Sequence, residues 1–202
     1  MHNLSGKKLV LATHNAGKIA EMVALLGPHD VSILSAADFG LSAPEETATD
    51  FVGNARIKAR FVADQTGLPS LADDSGIVID ALEGAPGIYT ADWAETPAGR
   101  DFDFAMRKTW EMVTRTSALP PYAARFRCAI VVAWPDGSEE VFEGAVEGRL
   151  TWPPRGPGGH GYDPMFQPNG GELTFAEMSA EEKNRISHRS MAFAALTSKC
   201  FT

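Results

Sequence analysis

The sequence predicts an α/β or α+β domain built on a mixed β-sheet. Three patterns predict it: short apolar, β-rich runs recur along the chain, amphipathic segments with helical spacing lie among them, and the two kinds do not alternate strictly.

In chain order, Lys8–Ala12 reads as a short buried strand and Thr13–Lys18 as a polar turn. Ile19, Met22, Val23 and Leu26 then fall on one face of a helix that Gly27-Pro28 stops, and Val31–Leu34 is the next strand. A second helix runs from about Asp50 to Thr66 on a stripe of Phe51, Ala55, Ala59 and Val62, ended by Gly67 and Pro69. Leu71–Asp80, LADDSGIVID, reads as two extended pieces around a Ser75-Gly76 turn. Phe102, Ala105, Met106, Thr109, Met112 and Val113 mark a third helix. Arg125–Trp134 is a strand, Pro135-Asp136-Gly137 a turn, and Val141–Val146 the hairpin partner. Thr151–Pro168 is a loop by its Gly and Pro content, and a last helix, Ser187–Lys199, follows a polar connector.

At 202 residues the chain is one domain or two tightly joined lobes. Its 18 basic and 26 acidic residues give a formal net charge of −8, which argues against nucleic acid as a partner. No run approaches the roughly 18 apolar residues of a membrane span, and the first residues lack the pattern of a secretory signal. Two cysteines suggest no disulfide framework and fit a reducing cytoplasm.

Five segments carry chemistry. In ATHNAGK, a strand, a Gly-containing turn and a helix start aim backbone N–H groups at one point, and Lys18 adds a charge; this is either a phosphate cradle or an ordinary turn capped by Asn15. Glu46 precedes the helix that carries Asn54 and Lys58: it is a hard oxygen ligand for Mg²⁺, with Lys58 reaching phosphate, or simply an acid suited to a helix N-terminus. Asp73 and Asp74 point to opposite faces of an extended strand, so one can serve a metal and an attacking water while the other braces the structure; an Asx-type turn is the alternative. His160-Gly161-Tyr162-Asp163 offers rings to a planar ligand or a Tyr anchor to the loop. Glu182–Arg189 concentrates cationic groups in an acidic chain, either a donor set for a carbonyl or an anion or a solvated connector.

Together, LATHNAGK, PEETATDFVGNARIKA, ADDSGIVIDALEGAPGIYTA, GGHGYDPMF and TFAEMSAEEKNRISHR, spanning Leu11 to Arg189, resemble the inosine triphosphate pyrophosphatase family, the non-canonical purine nucleoside triphosphate pyrophosphatases. The resemblance implies a long central mixed sheet with helices forming two lobes around an active-site cleft, a homodimer, and Mg²⁺-dependent hydrolysis of inosine and xanthosine triphosphates, and their deoxy forms, to monophosphate and pyrophosphate. It implies Asp74 as general base and metal ligand and Glu46 as the second metal ligand. Thr13, His14, Asn15, Ala16, Gly17 and Lys18, with Lys58, would meet the triphosphate. Ser75 would touch substrate, and His160, Gly161, Tyr162, Asp163, Lys183, His188 and Arg189 would line the nucleotide pocket. Donors from His188 and Arg189 would suit the 6-oxo group of hypoxanthine and xanthine and leave adenine poorly matched. The chain departs from the family's common pattern at His160, an aromatic position, and at Ala48 and Gly53, where Gly and Glu are frequent. Two rival functions are a pyrophosphatase for modified pyrimidines, whose base pocket should lack the Ser-His-Arg element, and a nucleotide-binding regulator without turnover, which needs no hydrolytic carboxylate.

Overall fold

A computed structural model describes residues 3–201. The strands are β1 (Lys7–Leu11), β2 (Val31–Ser35), β3 (Ser70–Ile79), β4 (Glu95–Thr96), β5 (Gly99–Arg100), β6 (Ala123–Ala133), β7 (Glu139–Leu150) and β8 (Phe166–Pro168). The helices are α1 (Ala16–Leu26), α2 (Phe51–Thr66), α3 (Phe102–Thr114), α4 (Ala180–Ile186) and α5 (His188–Cys200). Six strands form one sheet in the order β2-β1-β3-β6-β7-β8, and β4 pairs with β5 separately. β1 runs parallel to β2 and β3 while β7 and β8 are antiparallel, so the sheet is mixed, as predicted.

The chain divides into two compact units. The first comprises the chain up to Asp74, Cys128–Gly144 and the chain from Arg189 on; the second comprises Ser75–Arg127 and Ala145–His188. Within the first, the central strands β1, β3 and β6 are buried on both faces. Leu9, Leu11, Leu71, Ile130 and Val132 pack with Met22 and Leu26 of α1 and Ala192, Phe193 and Leu196 of α5. The alternate residues Val10, Ala12, Ala72, Val131 and Ala133 pack against Ala55, Ala59, Val62 and Ala63 of α2. Period-two side-chain alternation thus feeds two cores, which is why these strands read as continuous apolar runs. The second unit has its own core, in which Phe126, Phe166 and Phe175 make mutual ring contacts beside Ile77, Met106 and Tyr162.

The predicted elements are present, with four corrections. LADDSGIVID is one continuous strand through Ile79, not two pieces around a turn. Gly76 is needed for close approach: a Cβ there would collide with Gly87 O and Thr90 Oγ1, and that hydroxyl accepts the Ile77 N–H at 3.0 Å. β7 extends to Leu150, because Phe142, Val146, Gly148 and Leu150 alternate inward through the turn-like Glu147-Gly148-Arg149. The Gly/Pro loop ends in β8, where Phe166 pairs with Leu150, and Pro168 is tolerated on this edge strand. The polar connector contains α4, started by a capping box of Ser179 and Glu182 that the Ser-x-x-Glu spacing already announces. Val23 and Met112, placed on apolar faces by spacing, are exposed.

Two outcomes check this packing. Gly76→Ala should lower the stability measured by urea unfolding by about 1–3 kcal/mol, the usual cost of overpacking. Cys128 and Cys200 are both buried, and burial pushes their thiols up to about 12 and about 11. Neither should react with a thiol-disulfide reagent in the folded chain, and both should react once urea unfolds it.

Candidate active site

In the first unit the two adjacent aspartates of β3 build two different constellations. Leu71 faces the α1/α5 core and Ala72 the α2 core, so alternation turns Asp73 toward α1 and α5 and Asp74 toward α2. Their partners obey this. Asp73 Oδ2 meets Lys18 Nζ of α1 at 3.0 Å and Arg189 Nη2 of α5 at 3.2 Å. Arg189 Nη1 also pairs with Glu21 of α1. The Asp73 side chain has no exposed surface. Burial alone would raise its pKa, but Lys18 and Arg189 hold it well below the usual carboxylate range. Asp73 therefore joins α1, β3 and α5 through charge, bracing the structure from a continuous strand rather than from an Asx-type turn.

Asp74 is held from α2. Its Oδ2 accepts a hydrogen bond from Asn54 Nδ2 at 3.3 Å, and its Oδ1 lies 3.6 Å from Lys58 Nζ. The same ammonium lies 3.2 Å from Glu46 Oε2. Burial pushes Asp74 up to about 6; Lys58 and Lys18 oppose the rise, and Glu46 and Asp73 add to it. Two carboxylate oxygens thus converge on one cation. Mg²⁺ is commonly held by one or two carboxylates completed by phosphate oxygens and water, so Glu46 and Asp74 fit it. Among the described residues, no group of three or more His, Cys, Asp or Glu side chains is arranged to hold a metal by themselves.

The ATHNAGK turn is ordered by its own side chains. Thr13 Oγ1 accepts the Asn15 N–H and Asn15 Oδ1 accepts the Lys18 N–H, each at 3.2 Å, which caps α1. Ala16 and Gly17 open the helix and His14 is exposed. The Asn15 cap is real, and the Lys18 ammonium is paired with Asp73.

The second unit holds Ser75, half-buried on β3, and a second cluster. Asp163 Oδ2 accepts from the His160 N–H and from Lys183 Nζ, both at 2.6 Å. Lys183 also lies 5.6 Å from the Phe175 ring centre. A Cβ at Gly159 would collide with the Asp163 side chain, and Gly161 adopts φ +66°, so the glycines let the loop wrap that carboxylate. Tyr162 is a packed anchor: its ring meets Phe102 edge-on, its phenol accepts from Thr109 Oγ1 at 3.2 Å, and burial pushes it up to about 12. His160 is exposed. His188 is buried and stacks on Phe126 at 4.9 Å between ring centres.

Sequence reasoning missed Asn54, Glu21 and the hub role of Asp73. Asn54 and Lys58 are four apart on one α2 face, polar residues in an otherwise alanine-rich stripe, and that spacing was the available signal.

Residues 9–199 match the model of the Ham1 family. The chain is similar to a dITP/XTP pyrophosphatase of Ruegeria pomeroyi, 57% identical over 97% of this chain and 96% of that protein. A dITP/XTP pyrophosphatase of Mesorhizobium japonicum is 52% identical over 96% and 93%. Among solved structures, a HAM1 protein from Coxiella burnetii superposes with a TM-score of 0.88 at 37% identity, covering 95% of this chain and 96% of that one. The Staphylococcus aureus Ham1 protein gives 0.84 at 31% identity over 95% and 96%.

The two aspartates should respond to amidation with opposite signs. Asp73→Asn leaves Lys18 and Arg189 short of their buried counter-charge and should cost about 3–5 kcal/mol near neutral pH. Because the folded-state pKa of Asp73 is depressed, its contribution is complete above about pH 4 and is lost only as pH falls below that, so the deficit should shrink on acidification. Asp74 is raised instead, so its charge penalises the folded state from about pH 4 upward and fully above about pH 6. Asp74→Asn should therefore be more stable than the parent by about 1–2 kcal/mol at pH 7.5, with no advantage below about pH 4. Urea unfolding across this pH range checks both.

Proposed function

The chain belongs to the Ham1 family, and from that premise we infer that it hydrolyses non-canonical purine nucleoside triphosphates, dITP and ITP with dXTP and XTP, to the monophosphate and pyrophosphate. The single observation that carries the reading is the convergence of Glu46 Oε2 and Asp74 Oδ1 on Lys58 Nζ. Paired carboxylates beside a cation are what phosphoryl chemistry requires: acidic oxygens for a divalent ion, a carboxylate for the attacking water, and positive charge for the leaving group.

In the proposed reaction, water attacks the α-phosphorus and pyrophosphate leaves. Asp74 orients the water and takes its proton. Glu46 and Asp74 are the residues that would hold Mg²⁺, which when bound supplies charge neutralisation of the triphosphate. Lys58 and Lys18 offset charge that builds on the leaving oxygens, with the ATHNAGK backbone donors, Thr13 through Lys18, assigned to the phosphates. In the second unit, Ser75, His160, Gly161, Asp163, Lys183 and His188 keep their nucleotide assignment, while Tyr162 anchors the loop that carries His160, Gly161 and Asp163. Asp163 sets the direction of the Lys183 ammonium there. Arg189, assigned to the base by resemblance, has Asp73 and Glu21 as counter-charges, so its donors are oriented by carboxylates. A homodimer and a cytoplasmic setting belong to the same reading. No described helix is long and apolar enough to cross a membrane.

Incubation with ITP, XTP, GTP and ATP in the presence of Mg²⁺, with products identified by chromatography, tests the function. Monophosphate and pyrophosphate from ITP or XTP, in clear preference to ATP, is the expected result. Diphosphate with phosphate, or no turnover, refutes it, the latter favouring a nucleotide-binding regulator. Asp74→Asn should lose about 100-fold or more of kcat, the usual contribution of general base catalysis; near-normal turnover would remove Asp74 from the mechanism.

A further inference from the structure

Asn54 is nearly fully buried, at 4% exposure, and both ends of its carboxamide are engaged. Its Oδ1 accepts the Ala48 N–H at 3.0 Å and its Nδ2 donates to Asp74 Oδ2 at 3.3 Å. The amide has only one orientation that satisfies both. A backbone N–H can only donate and an ionised carboxylate can only accept, so a flipped amide would set donor against donor and acceptor against acceptor. Ala48 lies two residues from Glu46, on the segment that enters α2. That segment seats closely on the helix because position 53 is glycine: a Cβ at Gly53 would collide with the Ala48 methyl. Asp50 completes the seat as the N-cap, accepting the Gly53 N–H at 2.7 Å.

We propose that Asn54 is a positioning residue for hydrolysis, locking the Glu46 segment and the Asp74 carboxylate into one register through its two-ended amide, with the Gly53/Ala48 contact setting how closely that segment sits. The inference rests on the hydrolytic reading above. By occupying Asp74 Oδ2, the amide fixes the rotation of the carboxylate and turns Oδ1 to the side of Lys58 and Glu46. Side chains that orient the groups acting on a metal or a water, without touching substrate, typically matter by about 10- to 100-fold.

Kinetics with ITP and Mg²⁺ on four variants test this. Asn54→Leu keeps the approximate shape and removes both bonds. Asn54→Asp keeps an acceptor for the Ala48 N–H and presents a second carboxylate to Asp74. Both should lose about 10- to 100-fold in kcat with KM for ITP changed less than about threefold, the split expected when only a transition-state arrangement is lost. Gly53→Ala should show a similar loss, and the double variant Gly53→Ala/Ala48→Gly, which removes the colliding methyl, should recover most of it. Independently of turnover, the Asn54 side-chain amide, seen by nitrogen-15 NMR, should be protected from solvent exchange in the parent and freed in Asp74→Ala. Variants with kcat within about threefold of the parent, an effect confined to KM, no rescue in the double variant, or an unprotected Asn54 amide would each overturn the proposal. A parent protein that releases no pyrophosphate defeats the hydrolytic reading and this role with it; an active parent with unaffected variants defeats the role of Asn54 alone.

Discussion

Two neighbouring carboxylates on a strand buried on both faces impose the constraint that the first unit is built to satisfy. Neither Asp73 nor Asp74 can reach bulk water freely, and each must find compensation on its own face of β3. The compensation differs. Asp73 receives two cations, Lys18 and Arg189, from the two helices that cover its face, and its charge is locked in. Asp74 shares the Lys58 ammonium with Glu46 and accepts from the Asn54 amide, and burial still pushes it up to about 6. A carboxylate held ionised by two cations serves the fold; one that burial pushes toward its neutral form is poised to exchange a proton or meet a divalent ion. Electrostatic imbalance of this sort, at a cost in stability, is characteristic of groups selected for chemistry.

The helices follow from the same requirement. α1 has a cap at Asn15 that places Lys18 in its first turn, and α5 opens with His188-Arg189, so each delivers a basic side chain from its N-terminal end toward β3. α2 contributes a stripe of small residues that lets its backbone approach the sheet, and Asn54 and Lys58 are the polar members of that close approach. Small side chains in α2 and long charged side chains in α1 and α5 are two solutions to burying one acidic dipeptide.

Much of this was legible in the sequence. The spans of α1, α2, α3 and α5, the mixed sheet and the β6–β7 hairpin follow from periodicity and turn residues, and the alternation rule separates the two aspartates. Asp73-Asp74-Ser75-Gly76 misled because its composition is that of a turn, while its strand conformation comes from tertiary neighbours such as Thr90, which approaches where Gly76 lacks a side chain. The partners of Asp73 were not legible, since Lys18 and Arg189 lie 55 residues before it and 116 after it and only the fold brings them together. Tyr162 could not be told from a ligand-stacking ring by local sequence; burial against Phe102 and Thr109 decides that it is an anchor.

In the proposed reaction Asp74 on β3 delivers water to the α-phosphorus of a purine triphosphate. Single-turnover hydrolysis of ITP in heavy-oxygen water, with mass analysis of both products, tests it most directly. Attack at the α-phosphorus puts one heavy oxygen in the monophosphate and none in the pyrophosphate. Label in the pyrophosphate would place the attack on the β-phosphorus and contradict the arrangement derived for Asp74, Glu46 and Lys58.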